Sequence, residues 1–222
     1  LRIRFHLTDT GFLQDLLRIT EYHIQPFERS GLVWKIQADT YRRELERYGN
    51  QAIEPTEHLF CIDSRMYLEF LHQTEGDERE DLKWLWGLRN IDRLLHAAGL
   101  DTTGKKVLME KARNRFAEEF KMDRDLKSQI DRRYRICRKK MEEFMADGAL
   151  LHIMAAYEMH LRYLWEEVCG MVKEQASRDC ILISYIHMAV NRLISSGQRL
   201  HELMMYDFLC RHYTSLAAKG TS

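Results

Sequence analysis

Two parts of the chain, far apart in sequence, carry side chains equipped for chemistry. Near the start, Arg2 and Arg4 alternate with Leu1, Ile3 and Phe5, so in an extended chain both guanidinium groups leave one face. Paired arginines on one face make a forked cationic surface suited to carboxylates or phosphates. The segment Asp39-Thr-Tyr-Arg-Arg-Glu-Leu-Glu-Arg-Tyr-Gly49 adds Arg42, Arg43 and Arg47. In a helix Arg43 and Arg47 share a face, Arg42 lies one turn from Glu46, and Glu44 reaches Arg47. The competing reading of these charges is a solvated surface. Near the end of the chain, Ile186-His187-Met188-Ala-Val-Asn191-Arg192-Leu193 interrupts an apolar stretch. His187 and Asn191 sit one helical turn apart and point the same way. A polar pair buried there without partners costs on the order of 1–3 kcal/mol, so it must find them. Histidine exchanges protons near neutral pH, which equips His187 as an acid or base. The alternative is a core histidine satisfied by its hydrogen bonds.

These residues need elements to hold them. Alternation over residues 1–5 predicts a strand with one buried face. Phe12, Leu13, Leu16, Leu17, Ile19 and Ile24 recur at helical spacing over 11–29, and Ser30-Gly31 is a helix stop. Val33, Trp34 and Ile36, running into Asp39-Thr40-Tyr41, read as a second strand that leaves into a loop. From residue 54 onward the pattern is helical throughout. Pro55 suits a first helical turn, with that helix running to about His72. Further helices are predicted over 78–98, from Thr102-Thr103 to about Lys121, and over 123–146, 149–176, 179–195 and 198–217, with Gly99 and Asp147-Gly148 as breaks. The expected fold class is α+β, one domain over 1–222, in which a strand-helix-strand portion (1–50) precedes a large helical portion (54–217). Two strands do not make a stable sheet alone, so the remaining strands are expected upstream or from another polypeptide.

Composition narrows the classes of function. The chain has 34 Lys+Arg against 34 Asp+Glu, without the basic excess of a general nucleic-acid binder. Its 45% hydrophobic and 31% charged content can bury a real core. Only 2 prolines leave room for long helices. The most apolar run, Ile181 to Ile194, is broken by Ser184, His187, Asn191 and Arg192, and falls short of the roughly 20 apolar residues of a membrane span. The opening LRIRFHL has no apolar core of a secretory signal. The five cysteines (61, 137, 169, 180, 210) form no C-x-x-C pair, which argues against a disulfide framework or a cysteine zinc site and for a cytoplasmic setting. His201-Glu202-Leu-Met-Met-Tyr206 begins like H-E-x-x-H but lacks the second histidine, so no metal is expected there. The basic run Arg132 to Lys140 is flanked by Asp131, Glu142 and Glu143 and reads as a solvated helix face. No glycine-rich phosphate loop or G-x-S-x-G elbow occurs. The tryptophans, including Trp84-Leu-Trp86, are read as packing residues.

Taken together and in order, Arg2-Ile-Arg4-Phe, Asp39-Thr-Tyr41 through Glu44-Leu-Glu-Arg-Tyr-Gly49, and Ile186-His-Met188 with Asn191-Arg-Leu193 resemble one family. It is the small C-terminal domain of class I lanthipeptide dehydratases, also called the thiopeptide-type bacteriocin biosynthesis domain. The resemblance extends through Leu32-Val-Trp34 and Leu59-Phe60-Cys-Ile-Asp63-Ser64, covering most of 1–100 and 180–215; residues 101–178 match only as generic helices. Relatives carry an aromatic-rich strand and a D-x-E-P-H-type segment ahead of the paired arginines, which this chain lacks. It also has Ala189-Val190 where relatives often have His-Cys, and Asn50 after Tyr48-Gly49.

The resemblance implies a role in antibiotic peptide biosynthesis. A partner glutamylation domain or protein uses glutamyl-tRNA to esterify Ser and Thr of a ribosomal precursor peptide that carries a leader. The small domain, a lyase, then eliminates glutamate to leave dehydroalanine or dehydrobutyrine, with no bound cofactor of its own. By the same carry-over His187 moves the proton, and Arg4 and Arg47 bind glutamate or stabilise the enolate. Glu44 orients an arginine or shares in proton transfer, and Arg2, Arg43, Asn191 and Arg192 are further substrate-binding residues. A homodimer, possible engagement of a cyclase and no direct contact with nucleic acid are also implied. Two other functions stay open: the pyridine-forming cycloaddition of thiopeptide biosynthesis, on a related scaffold, and a non-catalytic helical module that binds peptides or proteins.

Overall fold

A computed structural model describes residues 3–148 and 150–220. They divide into two compact units, Leu1–Arg43 and Glu44–Ser222. In the first, Asp9 accepts a hydrogen bond from the Gly11 N–H at 2.7 Å, which starts a 3-10 turn, Thr10–Phe12, leading into α1 (Leu13–Arg29). An exposed carboxylate at a helix start satisfies one of its orphan N–H groups. The helix stops where the sequence predicts: the Ser30 N–H bonds back to the Pro26 carbonyl and Gly31 takes φ +75°. Leu13, Leu17 and Phe27 share a face of α1 and are exposed, and no residue of the helix is buried.

The two expected strands do not form. Residues 3–7 and 32–43 run without regular hydrogen bonding, and the described residues contain no strand. The α+β assignment is therefore corrected to an all-helical fold. Alternation along one segment records only that it has two unlike faces. A strand exists when its N–H and C=O groups meet those of a neighbour, and no neighbouring strand is available among the described residues. Leu1 and Arg2 lie outside the described residues.

The second unit contains seven helices among the described residues: α2 (Leu45–Gln73), α3 (Gly76–Ala97), α4 (Thr102–Glu119), α5 (Arg124–Ala146), α6 (Leu151–Met171), α7 (Gln175–Leu193) and α8 (Gln198–Ala218). Their ends follow local chemistry. Asp101 and Asp123 cap α4 and α5 by accepting from the N–H groups of Gly104 at 2.7 Å and Leu126 at 2.8 Å. At the other ends, Arg79 donates to the carbonyls of Leu71 at 2.9 Å and Thr74 at 2.8 Å, and Arg178 to those of Val172 at 2.6 Å and Cys169 at 2.9 Å, which closes α2 and α6. The α2 helix is interrupted at Gly49, whose φ of 75° and ψ of 159° belong to a region open essentially to glycine alone. Pro55 consequently lies beyond the first turn of the longer stretch rather than within it.

Packing brings α4 against α8, α2 against α6 and α7, and α3 against α6 and α7. The buried side chains of the core run from Tyr48 to Tyr213 and include Phe70, Trp86, Tyr185, Tyr206 and Phe208. Trp86 is fully buried and Trp84 packs on the core from its edge, as the sequence predicts. Where α3 passes closest to α7 and α8, a side chain on Gly87 would come within 2.7 Å of Leu193 and 2.8 Å of Met205. All five cysteines are free; Cys61 and Cys180 are exposed, and Cys210 is buried. No helix among the described residues is long and apolar enough to cross a membrane.

Candidate active site

Helix α7 carries His187, Asn191 and Arg192, and its periodicity separates them. His187 and Asn191 face α8. Arg192 lies five residues from His187, about 140° around the helix axis, and faces α2. The short sequence motif thus contributes to two different surfaces.

On the α8 side, the Asn191 amide Nδ2 donates to His187 Nε2 at 2.9 Å. That contact assigns the lone pair to Nε2 and the proton to Nδ1, which donates to Glu202 Oε2 at 2.8 Å. The His187 side chain keeps 24% of its surface exposed, whereas that of Glu202 keeps none. A carboxylate so deeply buried must be compensated. Glu202 Oε1 accepts from the Tyr206 hydroxyl at 2.6 Å, and Arg199 Nη1 lies 3.8 Å from Oε2. Arg199 also pairs with Glu119 and rests 4.2 Å above the Phe116 ring, a cation–π contact. Burial pushes the Tyr206 phenol well up, and the neighbouring Glu202 charge adds to the effect. Tyr206 therefore remains a hydrogen-bond donor.

On the α2 side, Arg192 Nη1 binds Asp63 Oδ2 at 2.6 Å, and Asp63 Oδ1 accepts from Asn90 at 2.8 Å. The Arg192 guanidinium also covers Phe60 at 4.8 Å. Arg192 is therefore held in a buried polar link between α2, α3 and α7. Arg47 pairs with Glu44 at 3.4 Å, the i, i+3 contact expected from their spacing. Beside them Tyr48 is buried, its ring 5.7 Å from Phe60 and 5.9 Å from Tyr185. Burial raises the Tyr48 phenol, against the pull of Arg47 and Arg192, so both cations act on one group. Tyr185 in turn shares a 2.7 Å hydrogen bond with Thr56.

The remaining sequence candidates belong to the first unit. Arg4 lies 4.6 Å over the Tyr41 ring, which joins the R-x-R segment to the Asp39-Thr-Tyr41 segment within that unit. Arg43 is exposed. Arg2 is outside the described residues. No group of three or more His, Cys, Asp or Glu side chains among the described residues could hold a metal ion.

Glu202, Tyr206 and Arg199 escaped the sequence reading. A signal was present: Glu202 occupies the same helical stripe as Met205, Tyr206, Leu209 and Tyr213, all of them buried. A carboxylate placed on the apolar face of a helix needs an internal partner.

An imidazole oriented by a buried carboxylate, with its other nitrogen at a partly exposed edge, is the arrangement of a general base. The chain belongs to the lantibiotic biosynthesis dehydratase C-terminal family, whose model matches residues 1–213. Among curated proteins it is similar to the subtilin biosynthesis protein SpaB of Bacillus subtilis, with 27% identity over 201 residues. That match takes in 85% of this chain and 18% of the relative, so the chain spans less than a fifth of that protein's length. No solved structure matches.

Proposed function

We propose that the chain is the glutamate-eliminating lyase component of a lanthipeptide dehydratase. Its substrate is a ribosomal precursor peptide whose Ser or Thr hydroxyls carry a glutamyl ester, installed from glutamyl-tRNA by a partner glutamylation domain or protein. His187 Nε2 takes the proton from the α-carbon of the esterified residue. The electron pair left behind forms the Cα=Cβ bond, the Cβ–O bond breaks, and glutamate leaves as a carboxylate. Glu202, holding Nδ1–H, stabilises the imidazolium that results. Asn191 has a second amide N–H available to a peptide carbonyl. By family resemblance, positive charge for the enolate and the departing glutamate is assigned to Arg47 and Arg4, with Arg43 and Arg2 behind them. Glu44 orients Arg47 through their ion pair.

The observation that carries this reading is the buried carboxylate on Nδ1 of His187 combined with an Nε2 that accepts from Asn191 on a partly exposed side chain. Family membership and the free cysteines agree with work on a peptide in the cytoplasm. The test is the His187→Ala variant, supplied with precursor peptide, the glutamylating partner and glutamyl-tRNA, and followed by mass spectrometry. Glutamylated peptide is expected to accumulate. Dehydration at the normal rate would remove His187 from the mechanism.

A further inference from the structure

The basic stretch of α5 is not one uniform solvated face. Towards its C-terminal end, the cations are neutralised within the protein. Arg138 pairs with Glu142 at 2.8 Å, Lys139 with Glu143 at 3.7 Å and Lys140 with Asp81 at 3.2 Å. Closer to the N-terminus the situation reverses. Arg124, Lys127, Ser128, Asp131 and Arg135 of α5, with Arg211 of α8, line a groove of about 380 Å³. Arg124, Lys127 and Arg135 are exposed and have no direct hydrogen bond or ion pair among the described residues.

The one acid in the groove does not offset them. Asp131 is bound by Arg211, whose hydrogen bond holds its carboxyl below the usual range. Arg211 also binds Asp207 at 2.6 Å and lies 4.9 Å over the Tyr134 ring. Asp131 also feels Lys127 and Arg135, and the lining as a whole sets four cations against one carboxylate. On a chain with 34 basic and 34 acidic residues, such a local surplus is a specific feature. Along the helix Arg124, Lys127 and Arg135 stand about 4.5 Å and about 12 Å apart in rise.

We propose that this groove binds an acidic peptide segment whose carboxylates meet Arg124, Lys127 and Arg135. One observation favours peptide over nucleic acid. None of the six lining residues is aromatic, so no base has a ring to stack upon. The proposal is independent of the elimination chemistry.

Fluorescence anisotropy of a labelled deca-glutamate peptide, titrated with the whole chain, tests it. Saturable binding is expected, weakening about tenfold as salt shortens the screening length from that of dilute buffer to below 10 Å. A triple variant, Arg124→Gln, Lys127→Gln and Arg135→Gln, is expected to lose affinity about tenfold or more, and Arg135→Gln alone to weaken it in the same direction. A control, Arg132→Gln with Arg133→Gln, removes two exposed cations outside the groove and is expected to bind as the parent does. Helical circular dichroism shows that each variant is folded. Binding undiminished in the triple variant, equal loss in the control, or tighter binding of labelled oligouridylate than of the peptide would each overturn the proposal.

Discussion

Glu202 determines which nitrogen of His187 can act as a base. With the carboxylate accepting from Nδ1–H, the lone pair lies on Nε2, where it accepts from the Asn191 amide. Glutamine at 202 would offer an amide to that position and favour the other tautomer. Glu202→Gln is therefore expected to slow glutamate release by about 10²–10⁴-fold, the usual worth of a general base, with the helical signal unchanged. Following loss of glutamate from purified glutamylated peptide measures this directly, and an unaltered rate would detach Glu202 from the chemistry. Glu202→Ala is a different change, because it strips Tyr206, Arg199 and His187 of a shared acceptor; a loss of about 3 kcal/mol in denaturant unfolding is expected. At this scale the sequence is legible over one turn and opaque beyond it. The spacing of His187 and Asn191 announces their contact. The separation of 15 positions between His187 and Glu202 does not, since only the packing of α7 on α8 makes them neighbours. Arg192, by contrast, looks like part of the histidine motif and is turned away from it by five residues of helix.

Among the elements, the start of α2 is the most constrained. Gly49 lets the turn that carries Glu44 and Arg47 leave the axis of the longer helix, in a conformation that a side chain resists. Gly49→Ala is expected to cost about 1–3 kcal/mol, read as a lower midpoint in thermal or denaturant unfolding, although no atom stands within 4 Å of the added carbon. An unchanged midpoint would show that the backbone relaxes elsewhere. Helix ends were well marked in the sequence because their causes are local: Asp101 and Asp123 cap, Gly31 and Gly99 reverse φ. The two expected strands do not form because their cause is not local. The alternation of Ile3, Arg4 and Phe5 is compatible with a sheet but cannot supply the adjoining strand.

At the level of the whole molecule, the buried tyrosines set a limit on stability. Burial raises the phenols of Tyr48, Tyr134, Tyr185, Tyr206 and Tyr213 above the ordinary value of 10.0. The folded state then keeps these protons at a pH where the unfolded chain releases them. Their contribution is complete below about pH 10 and is lost as pH climbs through the raised values. Alkaline titration is expected to give a single transition in which helical ellipticity falls as tyrosinate absorbance appears for the buried set. Complete ionisation of the tyrosines with the helices intact would contradict it.

The thiols have a practical consequence. Burial pushes the Cys169 and Cys210 thiols up and so blunts their nucleophilicity, whereas Cys61 on α2 and Cys180 on α7 stand at the surface. A maleimide dye would find those two first. The chain thus already carries two attachment points on two helices of the second unit, and energy transfer between dyes placed there would report the separation of α2 and α7.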